Sequence, residues 1–429
     1  MKNNRKHFLI ASLICMIIVT SCAALAAPKK IELSIMGTGY PKESKILFDA
    51  AFKDYLDKNP NISIKYIDCD WGSFSNRIAV WASANNEPDI YITNESMLNL
   101  LAEMNAVLDL NPYIDRKLRN DIPESLWRAV NRKGKQLVIP ARVGPFVLWY
   151  NKELFEKAGL DPNKPPVTWD EIVKYAQIIE NKTGAYGIGL NIGRYNDTPQ
   201  CLVGATFFSA MNTRWTDENG KSLVNTKEAV GAMQFLVDAV NKYKITQPFP
   251  AQTSKSDLRL MFRDGKIAMH YDGSWIIPML SEVTDISDPE KSKFAIVAAP
   301  KSPFKGKEPR TTLAIDGWVI SANTKYPKEA WKALRHLLEP EWQYLHNKMV
   351  SPFYFNSSIY KGDFDLENRW LQTKMLELTN YAMSHNITGP KAAKGLQIIH
   401  EAVQGAVLGR LTAEQAVQQM HDQFNKLRE

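Results

Sequence analysis

The apolar positions of the first hundred residues change period in a regular order. Residues 31–36 (I-E-L-S-I-M) alternate and are rich in branched side chains, which predicts a strand. The run G-T-G-Y-P at 37–41 predicts a turn. Ile46, Phe48, Ala51, Phe52, Tyr55 and Leu56 then recur at helical spacing over 45–58, and Asn59-Pro60 stops that helix. Residues 62–67 predict a second strand, 75–84 a helix and 89–92 a short buried strand. This β-α-β-α-β order predicts an open α/β sheet with helices on its faces.

A second region of the same kind follows. Strands are expected at 136–139, 146–150, 186–190, 267–271, 294–298 and 318–320. Helices are expected at 152–158, 169–181, 226–243, 256–263, 328–338 and 340–349. Thr168 and Glu171 form a capping box for the second of these helices. From Phe364 onward the pattern reads as wholly helical. At 429 residues the chain has room for two or three domains with large cores.

The N-terminus is read separately. Lys2, Arg5 and Lys6 precede an apolar run at 8–20 that is too short to span a bilayer comfortably, so 1–21 is read as an export signal. V-T-S-C at 19–22 resembles a bacterial lipobox with Cys22 as the lipidated residue. Cleavage after Ala26, at A-L-A, is the alternative. Either way the mature protein is expected to be exported: periplasmic, or anchored by lipid to the outer face of a membrane. Losing Lys2, Arg5 and Lys6 lowers the formal charge from +7 to +4, with no basic block of five, so no nucleic-acid partner is expected. Cys69 and Cys201 remain and are read as two buried thiols, a disulfide being the alternative in an oxidising compartment.

Motifs for catalysis are sparse. The histidines make no tight metal pair, so no metal site is expected. No nucleophile elbow and no P-loop occurs. Gly187, Gly189 and Gly193 have the wrong spacing for a dinucleotide loop, and no cofactor is expected. Aromatic residues stand out instead. Tyr40, Trp71, Trp275 and Trp318 lie beside Gly, Pro, Asp or Asn near strand ends. Flat rings there suit the C–H faces of sugars, with neighbouring Asp, Asn and Arg for the hydroxyls.

Five segments resemble one family. They are W-G-S-F-S-N-R-I-A-V-W-A-S-A-N-N-E-P-D-I from Trp71, V-L-D-L-N-P-Y-I from Val107, and G-K-Q-L-V-I-P with L-W-Y-N-K-E-L-F-E-K-A-G-L and P-P-V-T-W-D-E across 134–171. F-R-D-G-K-I-A-M-H-Y-D-G-S-W from Phe262 and D-G-W-V-I-S-A-N-T-K-Y-P-K-E-A-W from Asp316 complete the set. The chain resembles the bacterial extracellular solute-binding proteins of family 1, the maltose-binding-protein-like sugar receptors of ABC importers. The resemblance implies an α/β, two-lobed periplasmic-binding-protein fold with three hinge crossings and a helical C-terminal region. It implies crossings near 141–145, 312–316 and 350–356, with lobe 1 at 28–142 plus 316–352 and lobe 2 at 143–315 plus 353–429.

A ligand would then lie between the lobes, and the chain would bind rather than transform it. The partners implied are a sugar or oligosaccharide and the membrane subunits of an ABC permease, with the receptor itself monomeric. Loops after strands, where α/β sheets bind ligands, supply the candidate site: Thr38, Gly39 and Tyr40; Asp70, Trp71 and Ser73; Asn94 and Glu95; Arg142; Asn191 and Arg194; Asp272 and Trp275; Asp316, Gly317 and Trp318. If two of Arg142, Arg194 and Arg310 reach the cleft, an acidic sugar is expected, because guanidinium binds carboxylate as a fork. The rivals are an exported carbohydrate-active enzyme, and the same fold with a polyamine, phosphodiester or peptide as ligand.

Overall fold

The computed structural model describes residues 30–38, 42–69, 71–193, 198–217, 219–304, 310–350, 353–384, 387 and 392–428. Its first region opens β1 (Ile31–Thr38), α1 (Lys42–Lys58), β2 (Ile62–Cys69), α2 (Trp71–Ser83), β3 (Ile90–Asn94) and α3 (Glu95–Glu103). Asn94 ends β3 and caps α3 by accepting from the Met97 amide. A small ladder pairs β4 (Asn131–Arg132) with β5 (Lys135–Gln136), and β6 (Ile139–Pro145) follows.

The second region holds β7 (Val147–Asn151), α4 (Lys152–Lys157), α5 (Trp169–Thr183), β8 (Tyr186–Ile188), α6 (Cys201–Met211), α7 (Lys227–Asn241), α8 (Lys255–Arg263), β9 (Ile267–Asp272) and β10 (Phe294–Val297). The chain ends with β11 (Thr311–Ile320), α9 (Pro327–Leu337), α10 (Pro340–Val350), α11 (Arg369–Thr379), β12 (Ala382–Ser384), α12 (Ala392–Val407) and α13 (Ala413–Lys426). The expected capping box on α5 is present, and Gly184, at φ 75°, ends that helix.

Two sheets define two lobes. One runs β12-β11-β3-β1-β2, with β6 also paired to β11; the other runs β10-β7-β9-β8. In the first, β1 is parallel to β2 and β3, whereas β11 is antiparallel to β3 and β6. Phe146 alone separates β6, in the first sheet, from β7, in the second. Leu33, Ile35, Ile92, Val319 and Leu334 sit in the first apolar core, and Leu148, Ile188, Phe207, Met233 and Val403 in the second. Cys69 and Cys201 are both buried and are not joined in a disulfide.

Several expectations change. The helical tail is interrupted by β12, which extends the first sheet parallel to β11 at Thr311–Leu313. The strand expected at 318–320 begins at Thr311, and the one expected at 136–139 divides into β5 and β6. The turn expected from Gly37 begins later, because β1 pairs with β2 through Thr38. Helices α3 and α6 lie where no helix is expected. All eleven residues of α6 are buried, so that helix has no polar face to betray its period. Helix α3 is short and buries Met97, Leu98, Asn99 and Leu101. Phe353, Phe355, Leu371, Met375 and Leu378 enter the first core, so α11 packs there rather than with α12 and α13.

Candidate functional site at the lobe junction

Strand pairing builds the first half of the site. Asp316 on β11 lies opposite Asn94 of β3 on one side and Arg142 of β6 on the other. The register between β6 and β11 shifts after Asp316, since Gly317 pairs with Pro140. Ala141 is the extra residue of this bulge, a device that re-aims neighbouring side chains. A Cβ at Gly317 would meet the Ile139 carbonyl at 2.3 Å, so glycine is required by this approach.

The Arg142 guanidinium stands 3.2 Å from the Asp316 carboxylate, with side-chain exposures of 6% and 22%. Burial raises the pKa of Asp316 above its ordinary value, while the charges of Arg142 and then Lys255 oppose that shift. Behind Arg142 lies His346 of α10, which burial and then the Arg142 charge push down to about 3. His346 is therefore neutral at physiological pH.

The second half lies on β9 and α8. Asp272 is fully buried at the end of β9 and takes a forked contact from Arg259, Nε to Oδ2 at 2.6 Å and a terminal nitrogen to Oδ1 at 3.0 Å. The Gly273 amide donates to Oδ1 at 2.9 Å, the Trp275 indole N–H donates to the same oxygen, and His270 Nε2 lies 3.3 Å from Oδ2. Burial by itself would raise this carboxyl, but the Arg259 charge, helped by hydrogen bonds from His270 and Arg259, outweighs it. The group is held well below the usual carboxylate range.

The indole of Trp275 joins the two halves. It packs against both apolar cores and remains partly exposed. Its benzo edge lies against Gly144 of β6 and against Gly273; a Cβ on these glycines would meet ring atoms at 2.7 and 2.3 Å. Phe146 meets the same ring edge-on at a centroid distance of 5.2 Å. Lys255, the first residue of α8, places Nζ 5.7 Å from the Phe146 ring centre and 2.7 Å from Gln200 Oε1. Apolar rings, two carboxylates and three cations thus meet where the chain passes between sheets, an arrangement suited to holding a polar ligand with an apolar face.

Residues 42–344 match the family described as bacterial extracellular solute-binding protein. The chain belongs to that family. An arabinooligosaccharide-binding protein of Bacillus subtilis (strain 168) is 24% identical over 247 residues, covering 56% of this chain and 55% of that protein. The fold is similar to that of the GacH receptor of Streptomyces glaucescens, solved unliganded and with acarbose. There the TM-score is 0.78 at 18% identity, over 93% of this chain and 98% of that one. It is equally similar, with a TM-score of 0.78 at 23% identity, to an ABC transporter solute binding protein from Thermotoga lettingae bound with α-D-tagatose, over 93% and 100% of the two chains.

In this solute-binding protein the expected residues divide into groups. Asn94, Arg142 and Asp316 come together, as do Asp272 and Trp275. Thr38 ends β1, and Trp71 opens α2 just past the end of β2. Ser73 lies one turn into α2, with Oγ 3.9 Å from Cys69 Sγ. Glu95 is buried and its charge acts on Arg132, which burial lowers from its ordinary value. Asn191 is buried in the loop after β8. Gly317 backs onto β6, and Trp318 is buried in the first core, edge-on to Phe48 at 6.3 Å. Gly39, Tyr40, Asp70, Arg194 and Cys22 lie outside the described residues.

Of the arginines behind the acidic-ligand expectation, Arg142 pairs with Asp316 and Arg310 donates to Asn212 at 2.8 Å. Both are engaged within the protein. The sequence reading did not select Phe146, Lys255, Arg259, His270 or Gly144. One signal for His270 and Asp272 was present: they alternate on a strand whose every residue is buried. A polar pair on one face of such a strand needs a buried partner. Among the described residues no helix is long and apolar enough to cross a membrane.

Proposed function

We propose that this chain is the extracytoplasmic receptor of an ABC importer and that it captures a sugar or oligosaccharide at the lobe junction. The observation that carries the reading is the Trp275 indole. It packs on both cores, its N–H is consumed by Asp272, and it lies against Gly144 of the strand that carries Arg142 and against Phe146, the ring beside Lys255. A ring whose polar atom is already satisfied offers apolar area for the C–H face of a sugar, while nearby charged groups take its hydroxyls.

The names of the relatives, which bind arabino-oligosaccharide, acarbose and tagatose, support a carbohydrate ligand. The proposed contact set is Thr38, Gly39, Tyr40, Asp70, Trp71, Ser73, Asn94, Glu95, Arg142, Asn191, Arg194, Asp316 and Trp275, with Asp272, Gly317 and Trp318 behind it. Lobe 1 is proposed as 28–142 plus 316–352, extended through α11, and lobe 2 as 143–315 with α12 and α13. A ligand touching both lobes stabilises their closed arrangement, which then docks on the permease. Lipidation of Cys22 is proposed as the anchor; the intact mass of the mature protein tests it, an unmodified N-terminus after Ala26 overturning it.

The ligand reading is tested by thermal unfolding against neutral and acidic mono- and oligosaccharides. Ligand at one hundred times its dissociation constant adds about 2.7 kcal/mol. The expected outcome is a higher midpoint with one sugar class, the sugar recovered at unchanged mass. A changed mass would point to the enzyme alternative. No shift with any sugar would overturn the carbohydrate assignment and move the screen to polyamines, phosphodiesters and peptides.

A further inference from the structure

We infer that the buried Asp272 carboxylate, forked by Arg259 and backed by His270, is the positioning group that fixes the Trp275 indole against the hinge strand β6. The inference deepens the reading above, since the platform it orients is the one proposed to meet the sugar. Three observations converge on it. First, Asp272 is fully buried, yet it spends one acceptor position on the Trp275 N–H. Both of its oxygens are themselves held by Arg259, which arrives from a separate helix, α8. The indole is thus tied through its nitrogen to a group that packing on two elements immobilises.

Second, the opposite edge of the indole meets glycines where any larger residue would collide. A Cβ at Gly144 would lie 2.7 Å from Cζ3, and one at Gly273 would lie 2.3 Å from Cη2. The ring is therefore gripped at both ends, by a hydrogen bond and by a slot in two backbones. Third, the strand providing half of that slot is β6, which pairs with β11 through Ala314 opposite Gly144. This is the ribbon at which the chain leaves the first sheet. Arg259 also lies beside the indole, 6.0 Å from the ring centre. Aromatic anchors bind best when their orientation is fixed before the ligand arrives. Asp272 and Arg259 are thereby positioning residues: they act through Trp275.

The experiment separates this inference from the ligand reading. In the ligand-free protein, the near-ultraviolet circular dichroism of wild type minus Trp275→Phe defines the signal of the oriented indole. Asp272→Asn and Arg259→Lys are each expected to lose that signal with far-ultraviolet dichroism unchanged. Adding Trp275→Phe to either should change nothing further. With the sugar found in the thermal screen, both variants should bind about tenfold more weakly. A retained Trp275 signal in folded Arg259→Lys and Asp272→Asn overturns the inference, as does unchanged affinity. If Asp272→Asn does not fold, Arg259→Lys, which keeps the charge but not the fork, decides alone. Should wild type bind no sugar, the carbohydrate reading fails, and the spectroscopic arm still decides the positioning role.

Discussion

On β9, Asp272 accepts the Arg259 fork, a backbone amide and an indole N–H, and is held well below the usual carboxylate range. On β11, Asp316 faces Arg142 at 3.2 Å, and its acidity moves the other way. Both acids stand beside an arginine where the lobes meet. The difference is in how completely the partners replace water. Burial costs each carboxylate its hydration, and only a full set of donors restores it. Asp272 has that set and behaves as fixed structure. Asp316 keeps 22% of its side chain exposed, so water still reaches it, and it stays open to further donors.

The largest expected effect contrasts the two acids directly. Asp272→Asn should destabilise the protein by about 3 kcal/mol, since it breaks a buried ion pair and leaves Arg259 without its fork. Urea titration measures this; a loss below about 1 kcal/mol would remove the distinction from Asp316. Next comes Gly144→Ala, which moves the platform without touching either carboxylate. With the indole held at its nitrogen, the added methyl should cost about 2 kcal/mol in the same titration. An indifferent variant would mean that the ring is free to step aside.

A smaller effect lies on the Asp316 side. In the unfolded chain His346 takes up a proton near pH 6.5, but in the folded chain only near 3. The unfolded state thus binds more protons between those values, and stability falls as the pH drops through that window. Between pH 6.5 and 5.5 the loss from this group is about 1 kcal/mol. His346→Gln should remove that part of the slope, as read from unfolding at a series of pH values; an unaltered slope would show that His346 is hydrated and titrates normally.

Asp316→Asn should have the smallest effect, about 1 kcal/mol or less at neutral pH. Because the folded state binds this proton more readily than the unfolded one, wild type should lose stability as pH rises through the window above 3.8. The variant should not. A large loss at neutral pH would instead class Asp316 with Asp272.

Much of this architecture is written locally. The capping box at Thr168 and Glu171, the alternation before α1 and the apolar stripe of α1 itself are set by residues a few positions apart. Each of these signals was enough to place its element. Family membership was equally legible, because segments such as 134–171 and 262–275 resemble the motifs of that family. The candidate site was legible only in part. Asp272 and Trp275 stood out by their place just after an expected strand, and Arg142 and Asp316 by their place at the crossings that the family resemblance implies.

Contacts across the fold decided the rest. Trp275 and Trp318 look alike in the sequence, each two or three residues from an aspartate. One spans the lobe junction, whereas the other is buried against Phe48. Their fates differ because pairing with β3 and β6 places Trp318 within the first sheet, while the Asp272 hydrogen bond and the Gly144 slot hold Trp275 between two cores. Strand β12, Arg259 and the α6 helix escaped for the same reason. Each depends on a partner distant along the chain, and side-chain type alone does not say which distant partner will arrive. The sequence by itself determined the elements and the family; the tertiary structure decided which carboxylate is sealed, which remains open to solvent, and which tryptophan stands between the lobes.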